Sequence, residues 1–364
     1  MEEPHPDAGH PGGTPPEAVV TAPPRREHRS RFGDTSGGAR GGAPALCVVM
    51  PVYNAAAYVA EAMRSILAQD YADYEFLIVD NGSTDGSRAV TCGIADPRIR
   101  LHCLEENCGP PGALNVALRL TEAPLLARMD ADDVALPGRL AAQMAYMRAH
   151  PEVALLGTQW CGIDEHGRRR TTWSLPVTER DVRWKSMFNS PFVHAAVCMR
   201  RDAIVRLGGY DTRYRYAADF DLWSRCLRQG GRLANLDRRY MLIRTHPGQD
   251  GAVAKRRALL AESAAIARDN IAWCTGLAPE AARVENLIRV LDWGAPRTRA
   301  EALDALDLFR AIAAAFARAQ RCSPGRFYAR TLVRFGWHER ALPPTKRLRL
   351  ACRGMGSFMG LPCA

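Results

Sequence analysis

Hydrophobic and polar positions along the chain predict alternating strands and helices from residue 46 onward. Short apolar runs, rich in β-branched residues, predict buried strands: LCVVMPV, EFLIVD, RIRLHCL and APLLAR. Between the strands lie segments with helical spacing, the clearest being residues 55–69, whose apolar side chains share one face. Strands alternating with helices through short turns predict an α/β class, with a mostly parallel, Rossmann-like central sheet flanked by helices.

The pattern also divides the chain. Residues 1–43 are rich in Pro and Gly and are expected to be disordered, because they cannot bury a core. Residues 44–250 are predicted to form the α/β domain, with a change of pattern after His150 that separates residues 44–150 from 151–250. Residues 251–364 predict a basic, mostly helical C-terminal region.

Charge is distributed unevenly along the 364 residues. From residue 253 to the end, 19 Lys or Arg stand against 9 Asp or Glu, so the whole net charge of +10 lies there. Such a region suggests an anionic neighbour, such as a phosphate or a lipid headgroup, although a solvated helical surface explains it equally well. Nucleic acid is not expected as a partner, because no recognition motif or interleaved aromatic pattern accompanies the charge.

The 11 cysteines include no CxxC pair and are predicted to be reduced thiols of a cytoplasmic protein. No apolar run approaches the ~20 residues of a membrane-spanning helix. The basic region could instead hold the protein peripherally at the inner face of the plasma membrane.

Polar side chains follow three of the predicted strands. The three clusters are PVYN at 51–54, DNGS at 80–83 and DADD at 130–133. Ligands of open α/β sheets bind beyond the carboxyl ends of the strands, so we expect these clusters to meet at one edge. Carboxylates there are suited to Mg²⁺ or Mn²⁺, which prefer oxygen ligands.

Other interpretations of the acidic cluster are a turn that caps the next helix, a calcium loop or a phosphatase nucleophile. A calcium loop starting at Asp130 fails, because Ala135 and Ala141 occupy the positions that require Gly and Glu. The nucleophile motif belongs on the first strand of its domain, whereas this cluster follows the fourth.

Several segments together resemble the family 2 glycosyltransferases of GT-A fold. The nucleotide-sugar half is represented by VVMPVYNAAAYVAEAMRSILAQDY, FLIVDNGSTDGS, ARMDADDVALPGRLAAQ and HPEVALLGT, and the acceptor half by FVHAAVCMRR, LGGYDTRYRYAADFDLW and RTHPG. The resemblance covers residues 46–250. It implies the GT-A nucleotide-diphospho-sugar transferase fold and a soluble, metal-dependent, inverting enzyme. No QxxRW sequence follows Trp223, which argues for the addition of a single sugar.

The resemblance also assigns roles. The implied metal ligands are Asp132, Asp130 and His246, with Asp130 also near the ribose. The residues implied to contact the nucleotide sugar, a UDP-sugar as the first expectation, are Pro51, Tyr53, Asn54, Asp80, Asn81, Asn115, Arg128 and Asp130. Asp219 is the implied catalytic base, and His194, Asp221 and Trp223 are implied to shape the acceptor pocket.

Two positions depart from the family pattern, because Asn81 and Ala218 stand where Asp and Glu are usual. Plain structural roles remain alternatives for Tyr53, Asn115, His194, Trp223 and His246, and for Asp221 a structural role is favoured.

The implied reaction transfers one hexosyl or N-acetylhexosaminyl unit to a hydroxyl of a cell-envelope acceptor. That acceptor could be a surface polysaccharide, a lipopolysaccharide or a lipid-linked oligosaccharide. A non-catalytic nucleotide-sugar-binding protein of the same fold is the first alternative. A nucleotidyltransferase is less favoured, because no Gly-rich loop with Arg or Lys follows the first strand.

Overall fold

A computed structural model describes residues 43–170, 174–247, 253–293 and 298–324. The predictions made for residues 1–42 and 325–364 lie outside the described residues. The nine cysteines in the described ranges form no disulfide with one another. None of the helices in these ranges is long and apolar enough to cross a membrane.

The described strands form one eight-stranded mixed sheet in the order β3-β2-β1-β4-β7-β6-β8-β5. Their bounds are β1 Leu46–Val52, β2 Tyr74–Asn81, β3 Ile99–Leu104, β4 Leu125–Arg128, β5 Val134–Ala135, β6 Val153–Ile163, β7 Cys198–Arg200 and β8 Arg232–Arg244. Strands β3, β2, β1 and β4 pair in parallel, whereas β7 is antiparallel to both of its neighbours. The parallel part therefore delivers the ends of β1, β2 and β4 to the same edge.

Helices follow most of the strands. Their bounds are α1 Val59–Leu67, α2 Ser87–Cys92, α3 Gly109–Leu120, α4 Arg139–Ala149, α5 Glu179–Ser186, α6 Arg201–Arg206, α7 Ala218–Arg228, α8 Val253–Thr275, α9 Ala281–Trp293 and α10 Arg299–Ala319, with a 3₁₀ turn at His194–Ala196.

Alternate residues of the central strands pack on opposite faces of the sheet. Met50 and Phe76 belong to one apolar cluster, while Val49 and Leu77 belong to another. Burial on both faces explains why the parallel strands appear in the sequence as continuous apolar runs.

The chain turns out of the sheet directly after β2, at Gly82, whose φ is +70°. A Cβ there would lie 2.8 Å from the carbonyl carbon of Glu106, so this close backbone approach requires glycine.

Helices α8, α9 and α10 share an apolar cluster of their own, which includes Phe309 and Phe316. Trp184 of α5 packs on both rings, with centroid distances of 5.5 and 5.3 Å, and Met187 just after α5 is fully buried. The predicted α/β class with a helical C-terminal portion is confirmed, while the proposed boundary between two halves near residue 150 stays a prediction.

Candidate active site

The acidic segment after β4 gathers three carboxylates. One oxygen each of Asp130, Asp132 and Asp133 lies within 4.8 Å of the others. The segment is short because β4 ends at Arg128 and β5 begins at Val134. Oxygen donors at this spacing fit a hard divalent cation such as Mg²⁺ or Mn²⁺. The three carboxylates do not suit a softer metal, because such metals prefer thiolate ligands.

Arg139, at the start of α4, fixes the strand end that leads into this segment. The guanidinium is completely buried and donates to the carbonyls of Arg128 at 2.6 Å and Ala195 at 2.9 Å. Burial lowers the pKa of Arg139 to about 10, so it stays charged at neutral pH. These bonds tie the end of β4 to the 3₁₀ turn at His194.

Arg244, the last residue of β8, holds the acidic segment from the other side. Its Nε donates to the carbonyl of Asp132 at 2.8 Å, and its backbone N–H donates to Asp133 Oδ1 at 2.8 Å. The same guanidinium donates to Glu61 at 2.6 Å and lies 4.9 Å from the ring centroid of Tyr58. Arg244 thus holds the acidic segment through the backbone of Asp132 and the side chain of Asp133.

Two basic side chains lie beside the carboxylates. Arg128 donates to Asp130, and His246 Nε2 lies 3.2 Å from Asp132 Oδ2. Burial raises the pKa of Asp130, which Arg128 opposes and which Asp132 and Asp219 reinforce. Burial also raises the pKa of Asp133 well above its usual value. The structure therefore brings Asp130 and Asp132 together and places His246 beside Asp132, while the roles of all three as metal ligands stay predictions.

The end of β1 presents a turn to the same edge. Tyr53 is 47% exposed, whereas Pro51 is still part of the strand. Asn54 adopts a φ of +49°, and its Oδ1 accepts the N–H of Thr84 at 2.9 Å. Asn54 therefore joins the turns after β1 and β2, while Tyr53 has a ring face available to a ligand.

Asp80, at the end of β2, is already paired. Its carboxylate is buried, accepts from Arg88 Nε at 2.8 Å and receives the N–H of Ser83 at 3.3 Å. A contact between Asp80 and a nucleotide base stays a prediction, and it would have to use the lone pairs that these bonds leave.

Asn81 holds the loop that precedes α3. Its Nδ2 donates to Asn107 Oδ1 at 3.0 Å, and its Oδ1 accepts the N–H of Cys108 at 3.0 Å. Asn107 Oδ1 also accepts the N–H of Gly109, so it is held in place as an acceptor. An aspartate at position 81 has no N–H to donate to that oxygen, and its carboxylate would face the oxygen instead. The departure from the usual Asp thus has a structural reason.

Asn115 has a similar bridging role. Its amide accepts the N–H of Tyr210 and donates to the carbonyl of the same residue, both at 2.8 Å. The pair of bonds fixes α3 to the segment before α7. A turn-bridging role, left open from the sequence, is what this geometry favours.

Asp219 lies in the first turn of α7. It accepts the N–H of Phe220, a bond that opposes the rise in its pKa caused by burial. Arg128 and a hydrogen bond from Ser190 also lower that pKa. Because Asp219 in turn raises the pKa of Asp130, the two carboxylates share one electrostatic environment.

An aromatic group lies behind Asp219 and Arg128. His194 Nε2 is 2.8 Å from the hydroxyl of Tyr210, and both rings contact Trp223, at centroid distances of 5.7 and 6.4 Å. Burial, followed by the charge of Arg128, lowers the pKa of His194 well below its usual value, so His194 is neutral. Only His194 of this group is both partly accessible and among the residues predicted for the acceptor pocket.

The other two residues predicted to shape the acceptor pocket lie in the core. Trp223 is fully buried, and Asp221 is 5% exposed and bonded to Arg225 at 2.7 Å. Arg225 in turn donates to the carbonyls of Leu207 and Gly209. This packing favours the structural alternative for both residues, since neither side chain faces an open pocket.

Two residues of the site were missed from the sequence, namely Arg139 and Arg244. Both are arginines that bond backbone carbonyls, and Arg244 is the first residue of the RTHPG segment, where only His246 was given a role. An arginine just after a Gly turn, or at the end of a long strand, is too common to be singled out. The signal that could have found Arg244 is its position two residues before His246.

The sequence has recognisable relatives. Residues 47–208 match the family model described as glycosyl transferase family 2. Over 188 residues the chain is 36% identical to the amylovoran biosynthesis glycosyltransferase AmsE of Erwinia amylovora, covering 51% of this chain and 68% of that protein. It is 32% identical over 219 residues to the putative glycosyltransferase EpsE of Bacillus subtilis (strain 168), covering 59% and 76%.

Solved structures share the fold. S. aureus TarS in complex with UDP-GlcNAc aligns with a TM-score of 0.53 at 18% identity, over 88% of this chain and 93% of that one. The mannosyltransferase PcManGT of Pyrobaculum calidifontis, in complex with GDP-Man and Mn²⁺, aligns with a TM-score of 0.52 at 22% identity, over 88% of each chain. These alignments confirm the GT-A-like fold. With the predicted motifs, the family match and the two relatives in agreement, the chain belongs to glycosyl transferase family 2.

Proposed function

We propose that this protein is an inverting, metal-dependent glycosyltransferase that moves one sugar from a nucleoside-diphosphate sugar to an acceptor hydroxyl. The observation that carries the proposal is the group of three carboxylates after β4, which shares its electrostatic environment with Asp219. A metal-binding group beside a partly buried acid that can accept a proton is the arrangement that such a transfer requires.

Asp130 and Asp132, with His246 beside Asp132, are the residues that would hold Mg²⁺ or Mn²⁺. A divalent ion bound there supplies neutralisation of the charge that develops on the departing diphosphate. Arg128 fixes the orientation of Asp130, and Arg244 and Asp133 fix the backbone of the segment. The structural neighbour bound to Mn²⁺ supports the presence of a metal ion at this site, and Mn²⁺ or Mg²⁺ is the ion that we propose.

Asp219 is proposed as the base that takes the proton of the attacking hydroxyl. Inversion needs a single in-line displacement, so one carboxylate beside the donor suffices. Burial raises the pKa of Asp219 toward the working range of a base, while the Phe220 N–H and Ser190 keep it ionisable.

The turns after β1 and β2 are proposed to receive the nucleotide. Tyr53 offers an exposed ring, and Asp80 the remaining acceptor positions of its carboxylate. Asn54 joins these two turns, and Pro51 lies one residue before the end of the first strand. Asn81 holds the loop before α3, and Asn115 fixes α3 to the segment before α7. The structural neighbour bound to UDP-GlcNAc supports a UDP-sugar as the first donor to test.

A cell-envelope acceptor is proposed from the names of the relatives, which include amylovoran and succinoglycan biosynthesis proteins. Surface polysaccharide, lipopolysaccharide and lipid-linked oligosaccharide all carry the required hydroxyls. We further propose a cytoplasmic protein whose basic C-terminal region meets an anionic membrane. Co-sedimentation with anionic vesicles should fall as salt rises, and absent or salt-insensitive binding would contradict that part.

The first experiment follows nucleotide release. The purified protein is mixed with Mn²⁺ or Mg²⁺ and a panel of UDP-, GDP- and dTDP-sugars, and free nucleoside diphosphate is measured. Slow, metal-dependent hydrolysis of one donor is expected, and Asp132→Ala should abolish it. Asp202→Ala is the matched control, because Asp202 is exposed and its ion pair with Arg206 lies on the surface.

Two results would separate the alternatives. Tight binding of one donor by the wild-type protein, without hydrolysis or transfer to any envelope glycan, would favour the non-catalytic binding protein. Absence of binding to every nucleotide sugar would contradict the proposed site itself.

A further inference from the structure

Asp219, in the first turn of α7, accepts the N–H of Phe220, but the N-cap residue of this helix offers no side-chain acceptor. Ala217 is the N-cap residue and cannot accept a hydrogen bond from the first turn. Helix starts leave unpaired N–H groups, and a buried one needs a partner. Ala217 and Ala218 are both buried, so water does not readily serve these groups.

Glu262 of α8 accepts the backbone N–H groups of the three residues that lead into α7. Its Oε2 accepts the N–H groups of Tyr216 and Ala217, both at 2.8 Å, and its Oε1 accepts that of Arg215 at 3.1 Å. Three successive backbone donors thus converge on one carboxylate. A negative charge at this end of a helix is also favoured by the helix dipole.

Helix α8 is itself fixed against α7, so Glu262 is delivered by a rigid element. Asn270 donates to the hydroxyl of Ser224 and to the carbonyl of Ser186, both at 2.7 Å. Ile266 packs against Phe220 in a small apolar cluster. Bonds near both ends of α7 therefore come from the C-terminal helices, beyond residues 47–208, which match the family.

We infer that Glu262 is a positioning residue for Asp219, acting through the backbone of residues 215–217. The inference rests on the proposed function, in which Asp219 is the base. Asp219 lies two residues beyond the last N–H that Glu262 holds, and a misplacement of about 1 Å can cost on the order of 100-fold in rate. The helical C-terminal region is then part of the catalytic machinery's support as well as a candidate membrane contact.

The test uses the full-length protein and three variants. Glu262→Ala removes all three bonds, whereas Glu262→Gln can keep the two at Oε2 by placing its amide oxygen there. Asp269→Asn is the matched control, because it removes one negative charge from an exposed position of the same helix. The measurements are kcat, the KM of donor and acceptor, and hydrogen exchange of the backbone of residues 214–221.

Glu262→Ala is expected to lower kcat by about tenfold to 100-fold, with the donor KM within about twofold of wild type. Exchange in residues 214–221 should accelerate in the same variant, Glu262→Gln should be intermediate, and Asp269→Asn should match wild type. If Glu262→Ala does not fold, the same comparison between Glu262→Gln and Asp269→Asn decides.

A wild-type kcat in a folded Glu262→Ala variant would overturn the inference. So would an equal loss of donor affinity and rate in Asp269→Asn, which would indicate general destabilisation of α8. If the wild-type protein transfers no sugar, the proposed function fails, while the exchange of residues 214–221 still shows whether Glu262 fixes the start of α7.

Discussion

The acidic segment after β4 and the start of α7 both present carboxylates to one site, but they are built differently. The segment crowds three acids within 4.8 Å and is held by the arginines Arg139 and Arg244 through its backbone. The start of α7 presents Asp219 and is held by the acid Glu262 through backbone N–H groups. Crowding leaves negative charge for a cation to neutralise, whereas Asp219 lies outside the cluster and is able to accept a proton. The neighbours, more than the residue type, therefore determine what an aspartate does here.

The strongest test of this comparison removes the carboxylate of Asp219. Asp219→Asn should lower kcat for transfer by roughly 10²- to 10⁴-fold, because the amide cannot accept the proton of the hydroxyl. Donor binding measured by calorimetry should stay within a few-fold of wild type, since the three crowded acids are intact. Transfer at the wild-type rate would place the base elsewhere.

Removing one of the crowded acids should have the opposite signature. Wild-type protein in Mn²⁺ at 100 times its Kd should gain about 2.7 kcal/mol of stability, measured as a rise in Tm. Asp132→Asn should lose most of that gain, because one of three clustered carboxylates is gone. Asp202→Asn should keep it, and an unchanged Mn²⁺ response in Asp132→Asn would contradict the metal assignment.

The arginine clamp gives a sharper test of how the segment is held. Arg244→Lys keeps the charge but cannot reproduce the bonds to the Asp132 carbonyl and to Glu61 together. We expect Mn²⁺ affinity to fall by about 10- to 100-fold, as for other residues that orient metal ligands. Titration calorimetry checks this, and wild-type affinity would show that the segment holds its shape without the clamp.

The pH dependence of kcat, measured at saturating Mn²⁺, tests the assignment of Asp219 as the base. A base acts when deprotonated, so kcat should fall as pH drops through the pKa of Asp219. Burial raises that pKa, so the fall should come at a higher pH than for an ordinary aspartate. Ser190→Ala removes a bond that lowers the pKa and should shift the fall to still higher pH. A shift to lower pH would contradict the assignment.

The smallest effect on activity is expected at Trp223, which packs behind the site. Trp223 is fully buried, and its indole nitrogen has no hydrogen-bond partner among the described residues. Trp223→Phe removes this unpaired group but leaves a cavity, so it should cost about 1–3 kcal/mol of unfolding free energy and leave the acceptor KM unchanged. Chemical denaturation and acceptor kinetics check this, and a large rise in KM would return Trp223 to the acceptor pocket.

Much of the first half of the domain could be predicted from the sequence. Its parallel strands are continuous apolar runs, and their polar ends meet at one edge because the strands are parallel. This relation between strand direction and position explains why the sequence predicted that Asp130, Asp132 and the turns at Tyr53 and Asp80 lie at one edge. The residue-level roles at these positions nevertheless stay predictions.

What the sequence did not reveal depends on contacts between distant segments. Arg244 acts on a segment more than a hundred residues earlier, and Glu262 reaches a turn of α7 from another helix. Neither has a local pattern, since each is an ordinary charged residue on a regular element. The burial of Trp223 likewise depends on Phe192, His194 and Tyr210 arriving from separate segments.

The bonds of Asn81 have a consequence for chemical ageing. Asn81 is followed by Gly82, and an Asn-Gly pair is prone to deamidation when the backbone nitrogen of the glycine can attack the side-chain amide. In the fold, that amide is buried and engaged at both its nitrogen and its oxygen, so the attack is blocked. Each excursion to the unfolded state exposes the pair, and conversion to aspartate would remove the donor to Asn107. The rate at which Asn81 deamidates should therefore follow the fraction of time that the protein spends unfolded.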